Sequence, residues 1–598
     1  MINKEQFQLI KSKFFIAPNI WDLIVLTIVF GVLAIIAWGA GQMITPYQLG
    51  QEIPISLELK FLPEYTIKTV LRMLIAMVFS LLFTFTVAPL AAKNRGASKI
   101  ILSFIDIMQS IPVLGLLSIT VVGFIKLFPN SMLGPESASI FAVFTAQVWN
   151  ITMSLYQSLR TVPINLQEAA SMYQLSSWQR FWCIEVPFGT QGLLWNCMMS
   201  MSAGWFFVVL SETIMVANQN IALPGIGSYI SKAIAEENFI AIWYSIAAMF
   251  LVILLYDQLL FRPLLAWANK FTIDVEENSP PNQSWFLNLL AKTLILKKIE
   301  IIFGLLLDLF INRLNIILKK INILLQNKSI NPDNSLLHLT PHYKNFYKIF
   351  YKIFYLLWRT LITFIVCCSL YFLTKFIIEA INLAEILYVF FLGFITAIKV
   401  VILIILASLI WIPIGVWIGL NKRASLILQP IIQCLAAFPA NFFYPIVIIL
   451  IMKYSLNKNI YTAPLMILGT QWYILFNVIA AMNAIPKEIF LTTQMLRLKG
   501  ILWWKKVILP AIFPFYVTGA MTAAGGCWNA SIVAEFVKWG DNTIISLGLG
   551  SYITEQTNSG DFRRLALGIS IMCIYVMLFN KLVWRKLYQL ASSRFNFN

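Results

Sequence analysis

A chain of 598 residues that is 59% hydrophobic and only 12% charged, with a mean hydropathy of +0.79, is not a soluble globular protein. A formal net charge of +18 would suit nucleic acid, but the basic residues sit in short segments beside long apolar runs, as in cytoplasmic loops of membrane proteins. No Cys-x-x-Cys occurs among the seven cysteines, and the two histidines, His338 and His342, lie in a polar linker, so a histidine-based catalytic or metal site within the membrane is excluded.

Taken in order, residues 1–19 carry Lys4, Lys11 and Lys13 ahead of the first apolar run, which places the N-terminus in the cytoplasm. Apolar runs of about 20 residues cross a bilayer as helices, and these are continuous rather than alternating, which argues against a barrel. Spans are predicted near 20–43, 66–91, 100–126, 138–160, 188–212 and 240–261. Glu52, Glu58 and Glu64 mark an outer segment, whereas Lys93, Arg95 and Lys99, then Arg262 and Lys270, mark inner ones. Polar residues 271–355 follow, with Pro280-Pro281 as a breaker. Within them, 285–325 carries Lys292, Lys297, Lys298, Glu300 and Asp308 too closely for a clean span and reads as amphipathic helices on the membrane surface; a hairpin of two spans is the alternative. Six further spans are predicted near 357–379, 394–420, 427–452, 461–484, 511–535 and 563–584, leaving both termini inside.

The second set repeats the first. An offset of 323 maps Trp149 to Trp472, Pro163 to Pro486, Trp205 to Trp528, Glu212 to Glu535, Gly225 and Gly227 to Gly548 and Gly550, and Arg262 to Arg585. Earlier in the halves the offset is 327, mapping Thr69 to Thr396, Arg72 to Lys399 and Pro112 to Pro439, so a longer loop is expected near Pro129 to Pro135. The predicted organisation is an N-terminal segment 1–19, a first membrane domain 20–270, a linker 271–355 and a second membrane domain 356–598: an all-α protein of about twelve spans in two six-helix repeats.

Between spans four and five lies a polar, helix-forming stretch: Glu168-Ala169-Ala170, then Gln174, then Ile184, Val186 and Pro187. Its copy has Leu491-Thr492-Thr493, Arg497, Val507, Leu509 and Pro510. Pro163 and Pro486 can open helices, because a first turn does not need the missing N–H. A helix to about Leu175 with a break at Ser176-Ser177 is predicted in the first copy, and a break at Lys499-Gly500, with Gly500 as a left-handed cap, in the second. The stretch resembles the EAA loop of permease subunits of binding-protein-dependent ABC importers, with Gln174 and Arg497 standing where that family has glycine. The second half, with Pro510-Ala511-Ile512-Phe513-Pro514, Trp528 and Gly548-Leu549-Gly550, resembles the nitrate, sulfonate, taurine and bicarbonate branch in a duplicated, fused form.

The resemblance implies a type I importer permease fold in a bacterial inner membrane. It implies two cytoplasmic ABC ATPase subunits docked on the two loops, an external solute-binding protein, and a small, anionic solute. Because no Gly-x-x-x-x-Gly-Lys-Ser/Thr occurs, the chain itself is expected to be non-catalytic and free of cofactors, with ATP-Mg held by the partner ATPase. Arg72 and Lys399 are candidates for drawing an anion toward the midline; Asp106 and Gln433 for lining the path. Glu212 and Glu535 are either pathway groups or structural caps of the glycine-containing loops. A secondary transporter with internal repeats is the alternative, though it needs ionisable coupling groups deep in the spans; an intramembrane enzyme lacks a clustered nucleophile and base.

Overall fold

The structure is a computed structural model that describes residues 19–43, 45–47, 53–216, 219–271, 284–293, 360, 363–364, 367–369, 371–379, 381–485, 487–540 and 542–594. The chain divides into two compact units. One comprises Met1–Val32 with Trp285–Ala380, and the other, which carries both loops and the cavities, comprises Leu33–Ser284 with Ile381–Asn598. In the smaller unit the described helices include Trp285–Ala291, and the Lys292 ammonium lies 5.1 Å over the Trp21 ring. The amphipathic helices predicted for 285–325 fall mostly outside the described residues.

Helix α1 spans Ile20–Gln42, followed by α2 (Leu62–Lys93), α3 (Arg95–Ser110), α4 (Val113–Leu127) and α5 (Leu133–Arg160). Short helices α6 (Ile164–Met172) and α7 (Ser177–Arg180) lead through a π-helical turn, Phe181–Glu185, into α8 (Val186–Ser211). An antiparallel hairpin pairs β1 (Thr213–Val216) with β2 (Gln219–Ala222) and is followed by α9 (Ile226–Ala235) and α10 (Phe239–Tyr256). A second π turn, Asp257–Phe261, joins α10 to α11 (Arg262–Ala268). Helix α5 is the centre of this half, packed along α2 on one side and α8 on the other. Small hydroxyls tie these helices together where apolar packing alone gives no specificity in lipid: Thr84 to Thr152 at 2.9 Å and Ser139 to Ser211 at 2.7 Å.

After α12, the linker helix Trp285–Ala291, the second half repeats the scheme with α13 (Leu383–Leu420), α14 (Lys422–Ala437) and α15 (Tyr444–Lys453). A broken helix follows as α16 (Lys458–Tyr461), α17 (Ala463–Ile467) and α18 (Trp472–Ala484). Beyond it come α19 (Lys487–Met495), α20 (Gly500–Trp503), a π turn Trp504–Ile508, and α21 (Leu509–Ala534). The hairpin β3 (Phe536–Trp539) with β4 (Asn542–Ile545) leads to α22 (Leu549–Ser559), α23 (Phe562–Phe579), a π turn Asn580–Trp584, and α24 (Arg585–Arg594). From α6 onward the starts of corresponding helices, strands and π turns differ by the offset of 323 read from the sequence. Duplication is thus visible in the backbone as well as in residue identities.

Among the described residues seven helices are long and apolar enough to cross a membrane, or up to ten when each bent pair counts as one span. Helix α1 occupies the place of the first predicted span, and the seventh, near 357–379, falls largely outside the described residues. Three predicted spans are not straight. The third and ninth bend by 92° and 79° at Pro112 and Pro439, where the residue before proline, Ile111 or Phe438, is forced into extended backbone. The tenth bends by 42° between Ile467 and Trp472. The length difference between the halves, expected in the loop near Pro129 to Pro135, is therefore only partly there: segments 128–132 and 454–457 are of similar size, and the break after Ile467 absorbs part of it.

The two halves share a core. Phe438 and Phe442 of the second pack into the cluster of Met73, Val143, Leu155, Met201 and Trp205 of the first.

Candidate functional site

Three regions concentrate the polar chemistry. At one end of α5 and α8 lies the loop 161–176; at the other end of the same two helices lie Glu136 and Glu212. Helix α5 has 28 residues, so at a rise of 1.5 Å each its ends are about 40 Å apart. A cavity lies between the halves about midway, beside Thr145 and Trp149 of α5.

The loop is built on a helix stop that recurs in both copies. Helix α6 ends at Met172, one turn earlier than predicted, because Gln174 adopts a left-handed φ of 50°. Its N–H donates to Ser171 O at 3.0 Å and the Leu175 N–H donates to Ala170 O at 3.0 Å, the paired bonds of a Schellman cap. In the second copy Arg497, also at φ 50°, donates to Gln494 O, and Leu498 donates to Thr493 O, both at 3.1 Å. The family's glycine position thus keeps its left-handed backbone with larger residues. Gly500 is left-handed too, at φ 60°, but it follows the cap by three residues instead of forming it. Pro486 lies outside the described residues. Ser176 then restarts the chain with a capping box, taking the Gln179 N–H at 3.3 Å while its own N–H donates to Gln179 Oε1 at 3.0 Å.

A non-glycine residue in the left-handed region costs about 1 kcal/mol. Gln174→Gly and Arg497→Gly should therefore each raise stability by about that amount, read as a higher thermal midpoint of the detergent-solubilised chain.

On the loop surface Glu168 is exposed, as are Ile164, Met172 (85%) and Tyr173 (81%). Leu491, Met495 (83%) and Leu496 correspond to Glu168, Met172 and Tyr173 and are exposed as well, together with Ile501. Ala170 is buried at the root of α6, and Ala169 is half-buried. Ile184 lies within the first π turn and Val507 within its copy; Pro187 and Pro510 stand in the first turns of α8 and α21, where a missing N–H is harmless. The π turns and prolines make each loop continuous with a long helix, so a load on the loop acts on that helix.

At the opposite end Arg72, fully buried, joins three elements. Its Nε and Nη2 donate to the two Glu136 oxygens at 2.6 and 2.7 Å, and its Nη1 donates to Glu212 Oε1 at 2.6 Å. Glu212 also accepts from Thr69 Oγ1 at 2.6 Å and from the Gly227 N–H at 2.5 Å. A Cβ at Gly225 would collide with the Glu212 carboxylate, and one at Gly227 with Val209 O, which is why glycine stands at both places. In the second copy Lys399 Nζ donates to Glu535 Oε1 at 2.8 Å, Ser546 Oγ at 3.0 Å and Leu547 O at 2.7 Å, and Gly550 N–H donates to Glu535 Oε2 at 2.8 Å. Near the start of the corresponding helix Asn459 accepts the Leu547 N–H at 2.8 Å. Where the cation meets two carboxylates it is a forked guanidinium; where it meets one, a lysine suffices.

The expectation for Arg72 and Lys399 meets a different geometry: both are held in ion pairs, neither is among the residues lining the cavity, and each ties the end of α8 or α21 to α2 or α13. Glu212 and Glu535 have the geometry of the structural cap considered for them. Glu136 was not singled out from the sequence; its one signal is a carboxylate opening an otherwise apolar run.

The central cavity has a volume of about 190 Å³ and is walled by both halves, including the breaks at Ile111 and Phe438. No Lys, Arg, Asp or Glu is among its described lining residues; its polar groups are amides, hydroxyls and the indoles of Trp149, Trp528 and Trp584. Asn529 Oδ1 accepts the Val113 N–H at 2.8 Å, bridging the halves at the first break. Gln433 lines a separate, smaller cavity of about 40 Å³. Asp106 lies on α3, but its side chain is outside the described residues.

Residues 80–260 and 411–587 each match the family model of the binding-protein-dependent transport system inner membrane component, together more than half of the chain. The chain is 30% identical over 154 residues to the bicarbonate transport system permease protein CmpB of Synechococcus elongatus, covering 26% of this chain and 52% of that protein. It is 27% identical over 181 residues to the nitrate import permease protein NrtB of Leptolyngbya laminosa, covering 30% and 61%. A Bacillus subtilis protein named as an aliphatic sulfonates transport permease, SsuC, is 26% identical over 183 residues, covering 30% and 63%. Each match therefore spans between half and two thirds of the relative's own length.

Proposed function

The chain belongs to the family of binding-protein-dependent transport system inner membrane components, and from that premise we propose that its two halves together form the translocation pathway of an ABC importer for a small anion of the nitrate, bicarbonate or sulfonate kind. Two separate ATP-binding subunits would dock on the loops around Glu168 and Leu491, and a solute-binding protein would deliver cargo to the end marked by Glu212 and Glu535. The single observation that carries the reading is the pair of exposed, apolar-tipped loops at one end of the bundle, each fused through a π turn to a helix that lines the central cavity. Closing the ATP-binding subunits would move the two loops together, and the angle between α8 and α21 would follow. In this reading the protein sits in a bacterial inner membrane with its loops and both termini in the cytoplasm. Domain limits at 20–270 and 356–598 around the linker follow from the same scheme, and ATP-Mg belongs to the partner.

The rival reading, a secondary transporter, needs ionisable coupling groups in the path, and among the described residues the cavity wall has no Lys, Arg, Asp or Glu. The test is to purify the chain with its ATP-binding subunits, reconstitute it with the binding protein, and follow uptake of nitrate, bicarbonate and ethanesulfonate. ATP-dependent uptake of at least one supports the proposal, and uptake that persists without the ATP-binding subunits overturns it. Glu168→Lys should weaken association of the ATP-binding subunit about tenfold, on the scale of one charge-assisted contact, with insertion unchanged.

A further inference from the structure

The two cavities are neighbours that share Ser202, Ala436 and Tyr473. The larger is lined by equivalent segments of both copies, Ile111 and Val113 with Phe438 and Ala440, and Ser202 to Phe207 with Gly525 to Ala530; the smaller is lined by 433–437 against Met198–Trp205. One holds about 190 Å³ and the other about 40 Å³.

Along α8 the positions that reach the two cavities are Met199, Met201, Ser202, Ala203, Phe206 and Phe207; their partners along α21, Thr522, Ala524, Gly525, Gly526, Asn529 and Ala530, are smaller in every pair, and all six line the larger cavity. Charge differs as well: the smaller cavity contains Asp257, paired with Arg262 at 2.9 Å, and the larger has Asn580 at that place. The second copy has thus been cleared of both bulk and negative charge where the first has kept them.

Two features of the larger cavity favour an anion. Helix α4 begins in its wall at Val113, so the positive end of a 15-residue helix dipole is directed there. Trp528, 2% exposed, lines the cavity and has an indole N–H without an acceptor among the described residues. A buried donor left unpaired is costly, so a transient acceptor is favoured.

We propose that solute passes through the larger cavity along the wall supplied by the second copy, and that this site takes a small oxyanion by neutral donors, with Trp528 Nε1 as one donor and the α4 terminus behind it. The proposal rests on the transport reading above. It is tested by uptake of labelled nitrate, bicarbonate and ethanesulfonate in cells carrying the chain with its ATP-binding subunits and binding protein. Thr522→Met with Ala524→Met, which restores first-copy bulk, should lower uptake at least tenfold in chain that accumulates and elutes normally. The mirror pair, Met199→Thr with Met201→Ala, should leave it within twofold. Trp528→Phe, which keeps the ring and removes the donor, should raise KM about tenfold with little change in maximal rate. Unchanged uptake after filling the larger cavity, equal loss from the mirror pair, or an unaltered KM in Trp528→Phe overturns the assignment. Uptake of none of the three anions by the unaltered chain overturns the oxyanion class, whereas uptake independent of ATP overturns the transport reading itself and leaves the site assignment standing.

Discussion

Replacing Arg72 by methionine should destabilise the chain by about 3–5 kcal/mol, enough to stop it accumulating in folded form, because two buried carboxylates would lose the cation they share. Lys399→Met should cost less, since Lys399 meets one carboxylate and its other acceptors, Ser546 Oγ and Leu547 O, are neutral. The duplication supplies its own rescue. Arg72→Lys alone leaves Glu136 short of donors, but Arg72→Lys with Glu136→Asn leaves one lysine to one glutamate, the ratio of the second copy, and should recover most of the stability. Thermal midpoints from fluorescence-detected gel filtration would rank the four variants. Equal midpoints for the single lysine and the double variant would show that Glu136 is not coupled to Arg72.

Met172→Glu with Tyr173→Glu should abolish capture of the ATP-binding subunit, by at least tenfold, while leaving the chain as stable as before. Both side chains are more than four-fifths exposed, so no intramolecular contact is lost, but two carboxylates would then have to be dehydrated at the docked surface. Met495→Glu with Leu496→Glu tests the second loop in the same way. The two loops differ in one respect: the first presents Glu168 where the second presents Leu491, so binding at the first should weaken with added salt and binding at the second should not. Co-purification at two ionic strengths would read both effects. Normal capture by all four glutamates would remove the loops from the docking surface.

Much of this architecture was readable before any coordinates. Apolar length marked the spans, and one numerical offset between Trp149 and Trp472, or Glu212 and Glu535, exposed the repeat. Bends at Pro112 and Pro439 were not, because an apolar run of suitable length looks the same whether it crosses straight or turns back; the prolines were visible, but their effect depends on what receives the freed Val113 N–H, and that is Asn529, 416 residues away. Arg72 was recognised as important and read as a draw for an anion, whereas one of the two readings of Glu212, the structural cap, matches its geometry. A buried cation reads as a ligand for cargo until its carboxylate partners are known, and Glu136 stands on a different helix. The turn at Gln174 shows the reverse: glycine was missing from the motif, yet the backbone kept its conformation, since the Schellman bonds and the restart at Ser176 outweigh a penalty of about 1 kcal/mol.

The matched start points of helices, strands and π turns in the two halves bear on how such a chain evolves. Two identical subunits must satisfy every mutation twice, once on each side of their axis, so a change that opens one wall also opens the other. Joined in a single polypeptide, the copies always meet as an unlike pair in fixed one-to-one proportion. Selection can then specialise one half as scaffold and the other as conduit, and keep only the backbone register common to both.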